Sequence, residues 1–300
     1  MRNDRWKTNL GLALFLAAVG CCLSSARGDF FVGSGHDSDV LRYDNSGTFI
    51  GVFVYPGSGG LSGPRGLTFG PDGNLYVSSV DTGQVLRYNG TTGTFIDAFV
   101  PTGSGGLSEP EGLVFGNDGF LYVADFSGQV LRYEANTGRF DRVFASSADL
   151  QGSADGIAFG PNGNLFVCVT GQNPAVLQFD PTTGQLIGPF TQGTSLTMSR
   201  SLDFGPDGNL YLTDLNGNDT RVARFNGATG QYIDDYITTD QGASSSRHLG
   251  FGPDSLLYIS STFPGPYDGI YVFDGTMLNV FVDGNDGSNL AFPTYFVWSP

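Results

Sequence analysis

The sequence predicts an all-β protein: a six-bladed β-propeller of four-stranded antiparallel blades, closed by strands from both ends of the chain. One segment recurs with a period of about 45 residues, starting at positions 66, 112, 156, 201 and 248. Two further strand-like segments follow each copy, which is typical of a propeller blade. A sixth unit is divided between the two ends of the chain, which predicts a closed ring.

The first two strands of each of the five complete blades form a hairpin. In the copy at 66–77, Phe69 ends an apolar strand, Asp72-Gly73 forms the turn, and Leu75-Tyr76-Val77 starts the second strand. Asp-Gly and Asn-Gly pairs tolerate the positive φ angles that tight hairpins require. The last copy has Ser255 in place of the glycine, which predicts a distorted turn there.

The third and fourth strands follow, for example at 84–88 and 94–100. The N-terminal unit supplies a second, a third and a fourth strand without a first, and we assign its missing first strand to 289–292. A ring closed in this way has no open edges, whereas an open solenoid, the alternative, leaves both terminal strands exposed. The predicted blades are 27–54 with 289–298, 64–100, 110–145, 154–191, 199–237 and 246–282.

Residues 1–26 have the features of a signal peptide. A basic start is followed by an apolar run at 10–19, too short to span a bilayer, and by small residues at 24–26. We therefore expect a secreted protein, periplasmic or extracellular, with one propeller domain at 27–300. Alternatively, the segment 18–21 is a lipoprotein cleavage site, and the protein contacts a membrane only if Cys21 is lipidated.

Composition limits the partners. The formal net charge is −15 and the pI is about 4.2, so the surface repels phosphate backbones and we expect no nucleic-acid binding. After signal cleavage only Cys168 remains, which excludes a disulfide framework and favours a buried thiol. We expect a monomer whose core relies on its 25 Phe and 13 Tyr residues.

The repeat resembles a known family. The segment from Gly112-Leu113 through Leu121-Tyr122-Val123-Ala124-Asp125 is similar to the NHL repeat. This resemblance implies a propeller, but NHL-type propellers include binding scaffolds, lyases and relatives of lactonases. The repeat frame is also similar to streptogramin (virginiamycin B) lyase, which implies a divalent metal held with His and Glu. The Trp and Glu typical of that family's blades are absent from 74–79 and its copies.

Candidate ligand-binding residues gather at one end of the predicted channel, where loops enter the innermost strands. The residues just before these strands are Arg65, Glu111, Asp155, Arg200, Arg247 and Ser288. Arginines are planar donors, so the pattern predicts a site for a ligand with an anionic or sugar-like group. The alternative is a self-satisfied ring of salt bridges that lines a wet channel.

The same end of the channel contains candidates for a catalytic base and for a metal site. His248 is placed to act as a catalytic base, and the alternative is a structural histidine. Glu111, Asp155 and Asn289 are hard oxygen donors for Ca2+ or Mg2+, although the arginines oppose a cation electrostatically. Asp125 and Asp214 are predicted to accept backbone hydrogen bonds.

The functional hypothesis is an exported binding module that recognises a small polar ligand, a glycan or a protein through its channel-end loops. Catalysis is left open. The alternative is a metal-dependent lyase or lactonase of the streptogramin-lyase-like or gluconolactonase-like type.

Overall fold

The computed structural model describes residues 28–216, 219–242, 245–262 and 268–300. The predicted signal peptide at 1–26 and Cys21 lie outside the described residues. In the part of the chain that is described, no helix is both long and apolar enough to cross a membrane.

The described strands form six antiparallel sheets of four strands each, which confirms the predicted propeller. Blades 1 to 3 contain β1 (Phe30–Ser34), β2 (Asp39–Tyr43) and β3 (Phe49–Val54), then β4 (Pro64–Phe69), β5 (Leu75–Ser79), β6 (Gln84–Tyr88) and β7 (Phe95–Val100), then β8 (Pro110–Phe115), β9 (Phe120–Asp125), β10 (Gln129–Glu134) and β11 (Phe140–Ala145). Blades 4 to 6 contain β12 (Ser153–Phe159), β13 (Leu165–Thr170), β14 (Ala175–Phe179) and β15 (Leu186–Pro189), then β16 (Ser199–Phe204), β17 (Leu210–Asn216), β18 (Asp219–Phe225) and β19 (Tyr232–Ile237), then β20 (Ser246–Phe251), β21 (Leu257–Ser261), β22 (Gly269–Phe273) and β23 (Leu278–Asp283), and β24 (Pro293–Trp298) completes blade 1. Short helical turns at Ser58–Gly60, Val80–Thr82, Ser104–Gly106, Ser147–Leu150 (α1) and Thr239–Gln241 lie in or beside the loops between strands.

The ring closes in blade 1, as predicted, because β24 pairs with β1. The innermost strand is Pro293–Trp298, however, so its assignment to 289–292 was wrong. Asn289 and Phe292 have φ angles of 55° and 57°, in the left-handed region, which a regular strand does not accommodate. The repeat marks the correct strand, since Pro293 to Trp298 matches Pro64 to Phe69 in the spacing of its proline and aromatic residues.

In blades 2 to 6 a hairpin joins the first two strands, and its turn is closed by backbone hydrogen bonds. In blade 2 the Asp72 carboxylate accepts hydrogen bonds from the Asn74 amide at 3.1 Å and from the Tyr76 hydroxyl at 3.0 Å. Ser255 adopts the same left-handed conformation as the glycines, with φ 66°, and its amide bonds to Gly252 at 2.8 Å. The turn in blade 6 is therefore regular, and the predicted distortion was wrong.

Aromatic rings hold neighbouring blades together with the same arrangement at all six blade interfaces. A ring on the second strand of one blade contacts a ring on or directly after its fourth strand and a ring on the first strand of the next blade, all edge-to-face. The six clusters are Phe31–Phe53–Phe69, Tyr76–Phe99–Phe115, Tyr122–Phe144–Phe159, Phe166–Phe190–Phe204, Tyr211–Tyr236–Phe251 and Tyr258–Phe281–Trp298. Each edge-to-face pair adds about 0.5–1.5 kcal/mol beyond its buried area. The last cluster joins blade 6 to the C-terminal strand and so secures the closure.

Two buried aspartates accept hydrogen bonds from the loops that precede the innermost strands of blades 3 and 5. Asp125 accepts hydrogen bonds from the amides of Ser108 and Glu109, and Asp214 accepts them from Thr197 and Met198. Their predicted structural role is confirmed. Cys168 is a buried free thiol, also as predicted.

Candidate ligand site at one end of the channel

A bulge at the start of each innermost strand turns one side chain towards the channel. In β4, Pro64 pairs with Ser79 of β5, and regular pairing resumes at Leu67. Arg65 and Gly66 lie between these pairs and have no partner residue on β5. Such bulges redirect side chains that a regular strand would point at a neighbouring sheet. The equivalent first bulged residues are Arg65, Glu111, Asp155, Arg200, Arg247 and Thr294.

These six residues are called the axial ring below. The structure brings together all five predicted charged residues of the site, since each arginine interacts electrostatically with both carboxylates. The sixth position belongs to Thr294 rather than Ser288, because β24 begins at Pro293. Ser288 and Asn289 lie in the preceding loop, where Asn289 is exposed.

The ring pairs its charges incompletely. Arg200 Nη1 lies 3.0 Å from Asp155 Oδ2, which is a close ion pair. Arg65 Nε is 3.7 Å from Glu111 Oε1, too far for a hydrogen bond. Among the described residues, Arg247 has no carboxylate within ion-pair distance. The Nε atoms of Arg65 and Arg200 are buried without a hydrogen-bond partner in the described part of the chain.

Burial and mutual repulsion shift the titration of the ring. Burial first, and then the Asp155 charge, raise the pKa of Glu111 to about 8, against the lowering effect of the arginines. Burial also raises the pKa of Asp155, although Arg200 opposes that shift. Burial and the neighbouring arginines lower the pKa of Arg247 to about 10, so it stays cationic at neutral pH. Three cations therefore face at most two anions, and the ring carries excess positive charge in an acidic protein.

Phe292 stands beside the ring and was missed by sequence reasoning. The Arg247 guanidinium lies 4.3 Å from the centre of its ring, the Arg65 guanidinium 5.4 Å, and the His36 ring stacks on it at 5.0 Å. A bulky residue in the left-handed region is uncommon, and the Phe292 amide is held by the Asp268 carboxylate. The aromatic face thus orients two of the three arginines.

The second bulged residue of each strand forms the layer beneath the ring. These residues are Gly66, Gly112, Gly156, Ser201, His248 and Tyr295. A Cβ on Gly112 would lie 3.1 Å from the Tyr295 hydroxyl oxygen, so the tyrosine reaches from blade 1 to blade 3. That hydroxyl is buried and has no hydrogen-bond partner among the described residues. Tyr295 therefore forms a floor with an unused polar group below the charged ring.

His248 is part of this floor. Its Nδ1 lies 2.9 Å from Ser201 Oγ, and its ring stacks on Tyr295 at 4.1 Å between centroids. Burial lowers the pKa of His248 to about 3, so the imidazole is neutral near pH 7 and is a weak base. This position favours the structural alternative for His248. Its assignment as a catalytic base remains a prediction.

The donors present do not fit a divalent cation. Asp155 already binds Arg200, the second carboxylate lies beside Arg65, and Asn289 is outside the ring. Calcium takes six to eight oxygen ligands, which two carboxylates among three guanidinium groups do not provide. Within the described ranges, no three His, Cys, Asp or Glu residues are grouped closely enough to hold a metal ion.

Comparisons with known proteins support the fold. Residues 99–133 match the family model "Strictosidine synthase-like, N-terminal", which covers only a short part of the chain. A comparison with curated protein sequences gave no match.

Solved structures match over most of the ring. A gluconolactonase from Xanthomonas campestris is 16% identical, with a TM-score of 0.58, and the match covers 79% of this chain and 84% of that one. Catalytically inactive virginiamycin B lyase from Staphylococcus aureus, crystallised with quinupristin, is 16% identical, with a TM-score of 0.57 and coverage of 75% and 71%. A streptogramin B lyase is 18% identical, with a TM-score of 0.54 and coverage of 77% and 72%. The chain is thus a six-bladed β-propeller similar in fold to gluconolactonase and, as the repeat frame predicted, to streptogramin B lyase.

Proposed function

We propose that this chain is an exported binding propeller that takes a small anionic ligand, such as a carboxylate, in the axial ring. The observation that carries the proposal is the surplus of donors: three arginines face two carboxylates, and only Arg200 makes a close ion pair. A self-satisfied ring of salt bridges would leave no buried guanidinium nitrogen without a partner. The Nε atoms of Arg65 and Arg200 and the Tyr295 hydroxyl instead have no hydrogen-bond partner in the described part of the chain, so the ring is not self-satisfied.

Size and charge define the ligand class. Tyr295 limits the depth of the site, so it suits a small molecule or the end of a larger one. Guanidinium groups bind carboxylates in a planar, bidentate geometry, and Phe292 offers an apolar surface beside them. A glycan with an acidic sugar or an acidic protein terminus satisfies the same chemistry.

Arg247 gives the sharpest test, because its removal leaves no close carboxylate partner behind. Gluconate and benzoate are titrated by calorimetry into the wild type, Arg247→Ala and Arg247→Lys, with glucose as the uncharged comparison. We expect Arg247→Ala to weaken binding of the anion about 10- to 100-fold, the usual value of one charged hydrogen bond. Arg139→Ala, at an exposed surface pair with Glu134, is the matched control and should change nothing. Equal affinity in Arg247→Ala and wild type would remove the axial ring from the proposal.

The enzymatic alternative is supported only by the activities named for the fold neighbours. Lactone opening by the purified protein, measured with and without a chelator, separates the alternatives. Turnover that the chelator abolishes would favour a metal-dependent lactonase or lyase over a binding module.

A further inference from the structure

A cavity with a volume of about 540 Å³ opens at the end of the innermost strands that is opposite to the axial ring. It lies where the innermost strands end, between blades 3 and 4, and reaches Asp203 in blade 5. Glu111 and Phe115 are four residues apart on β8, so the two sites are separated by about 13 Å along the strand. The volume falls within the range of about 300–1,000 Å³ that small-molecule pockets occupy.

The walls of the cavity are mainly apolar. Val114 and Phe115 line it from blade 3, and Ala158 and Phe159 line it from blade 4. The side chains at this level of the innermost strands differ among the blades. The residues at this level are Thr68, Val114, Ala158, Asp203, Gly250 and Val297.

Asp203 is the acidic member of that level, and it differs from the other inward-facing carboxylates of the innermost strands. Its Oδ1 accepts a hydrogen bond from the Phe204 amide at 2.8 Å, and its Oδ2 accepts one from the Phe251 amide at 3.1 Å. Asp155 has an arginine at 3.0 Å, whereas Asp203 has no basic side chain within ion-pair distance in the described part of the chain. Burial consequently raises the pKa of Asp203 to about 6, leaving it mainly ionised at pH 7.5.

We propose that this cavity binds a small organic cation, an amine with an apolar body, whose ammonium group pairs with the Asp203 carboxylate. A largely buried carboxylate without a countercharge gains most from a cation that also fills the apolar space around it. Phe115 and Phe159 supply ring faces and edges for the apolar body. The charge of −15 attracts cations to the protein as a whole.

Asp118 is the other charged group that lines the cavity. It accepts a hydrogen bond from the Tyr122 hydroxyl at 2.6 Å and lies 3.9 Å from an Arg132 nitrogen. Arg132 also pairs with Asp141 at 2.6 Å, so Asp118 shares one cation with a second carboxylate. Asp203 has neither a basic side chain within ion-pair distance nor a side-chain donor in the described part of the chain, which makes it the stronger partner for an incoming ammonium group.

The test uses phenethylammonium, with phenethyl alcohol as its uncharged comparison, titrated into the mature protein at pH 7.5. We expect the amine to bind at least tenfold more tightly than the alcohol. Asp203→Asn preserves the shape of the side chain and should reduce amine affinity tenfold or more. Asp207→Asn changes an exposed turn carboxylate at the same end and should leave the affinity within twofold.

Two further measurements keep the test independent of any folding defect in Asp203→Asn. Ala158→Leu narrows the cavity without a charge change and should reduce binding of both probes. Lowering the pH from 7.5 to 5 should weaken amine binding to the wild type about tenfold, because Asp203 becomes protonated while the amine stays charged.

The outcomes are distinct from those of the axial site. Arg247→Ala should retain full amine affinity. Equal binding of the amine and the alcohol, unchanged affinity in Asp203→Asn, or a parallel loss of amine binding in Arg247→Ala would each overturn the proposal.

Discussion

The blade interfaces and the axial ring follow opposite rules although both are built from the same repeat. Each interface places three aromatic rings in one edge-to-face arrangement, with centroid distances between 4.7 and 5.5 Å. The ring, by contrast, places arginine, glutamate, aspartate or threonine at equivalent backbone positions. Packing between twisted sheets tolerates little variation in volume, whereas the first bulged residue of each innermost strand is turned out of the regular pairing and takes no part in that aromatic packing. The comparison indicates that positions with the same residue type in every blade stabilise the fold, whereas positions that vary among blades form the candidate ligand site.

The largest expected effect tests the uniform half of this comparison. Phe166 is fully buried and contacts Phe190 and Phe204 at 4.8 and 5.0 Å. Phe166→Ala should lower the free energy of unfolding by about 3–5 kcal/mol, through lost burial and a residual cavity. Ile187→Ala, at an exposed position of the same blade, should change it by less than about 0.5 kcal/mol. Denaturant melts of both variants measure the difference, and a similar small loss in each would break the comparison.

A smaller effect, the pH dependence of the free energy of unfolding, tests the axial ring. The folded protein holds a proton on Glu111 up to about pH 8, whereas the unfolded chain releases it near the ordinary pKa of 4.5. Because the folded state binds more protons in this window, the contribution of Glu111 to stability falls as the pH rises from 5 to 8.

Glu111→Gln cannot release that proton, so it should gain stability relative to the wild type by roughly 3 kcal/mol between pH 5 and pH 8. Chemical denaturation at both pH values measures the gain. Glu134→Gln changes a partly exposed glutamate that pairs with Arg139 on blade 3, and it should show no such drift. A pH-independent difference between Glu111→Gln and the wild type would show that Glu111 titrates normally.

The smallest expected effect concerns Ser255, the one residue that replaces glycine in the repeated hairpin turns. Ser255 holds the left-handed position that Gly73, Gly119, Gly163 and Gly208 hold in the equivalent turns. Ser255→Gly should raise the free energy of unfolding by about 0.5–1 kcal/mol, because glycine adopts this conformation without steric cost. Thermal melts compare it with Ser46→Gly in an exposed turn; a loss of stability in Ser255→Gly would show that the serine side chain stabilises the turn.

The sequence alone determined the blade count, the hairpins and the five charged residues of the axial ring, because a period of about 45 residues fixes which positions are equivalent. It misplaced the closing strand at 289–292, although the proline and aromatic spacing of 293–298 carried the signal. The distorted turn predicted at Ser255 was also wrong, because a single serine in the left-handed region is tolerated when the turn keeps its hydrogen bonds.

Only the tertiary structure decided how the ring pairs its charges, that Phe292 and Tyr295 bound the site, and that Asp203 faces an apolar cavity. These features depend on distances between blades that are far apart along the chain. A repeat tells which residues share a level of the channel. Bulges, side-chain length and burial decide which of these residues come into contact and which charged groups are left without an ion-pair partner.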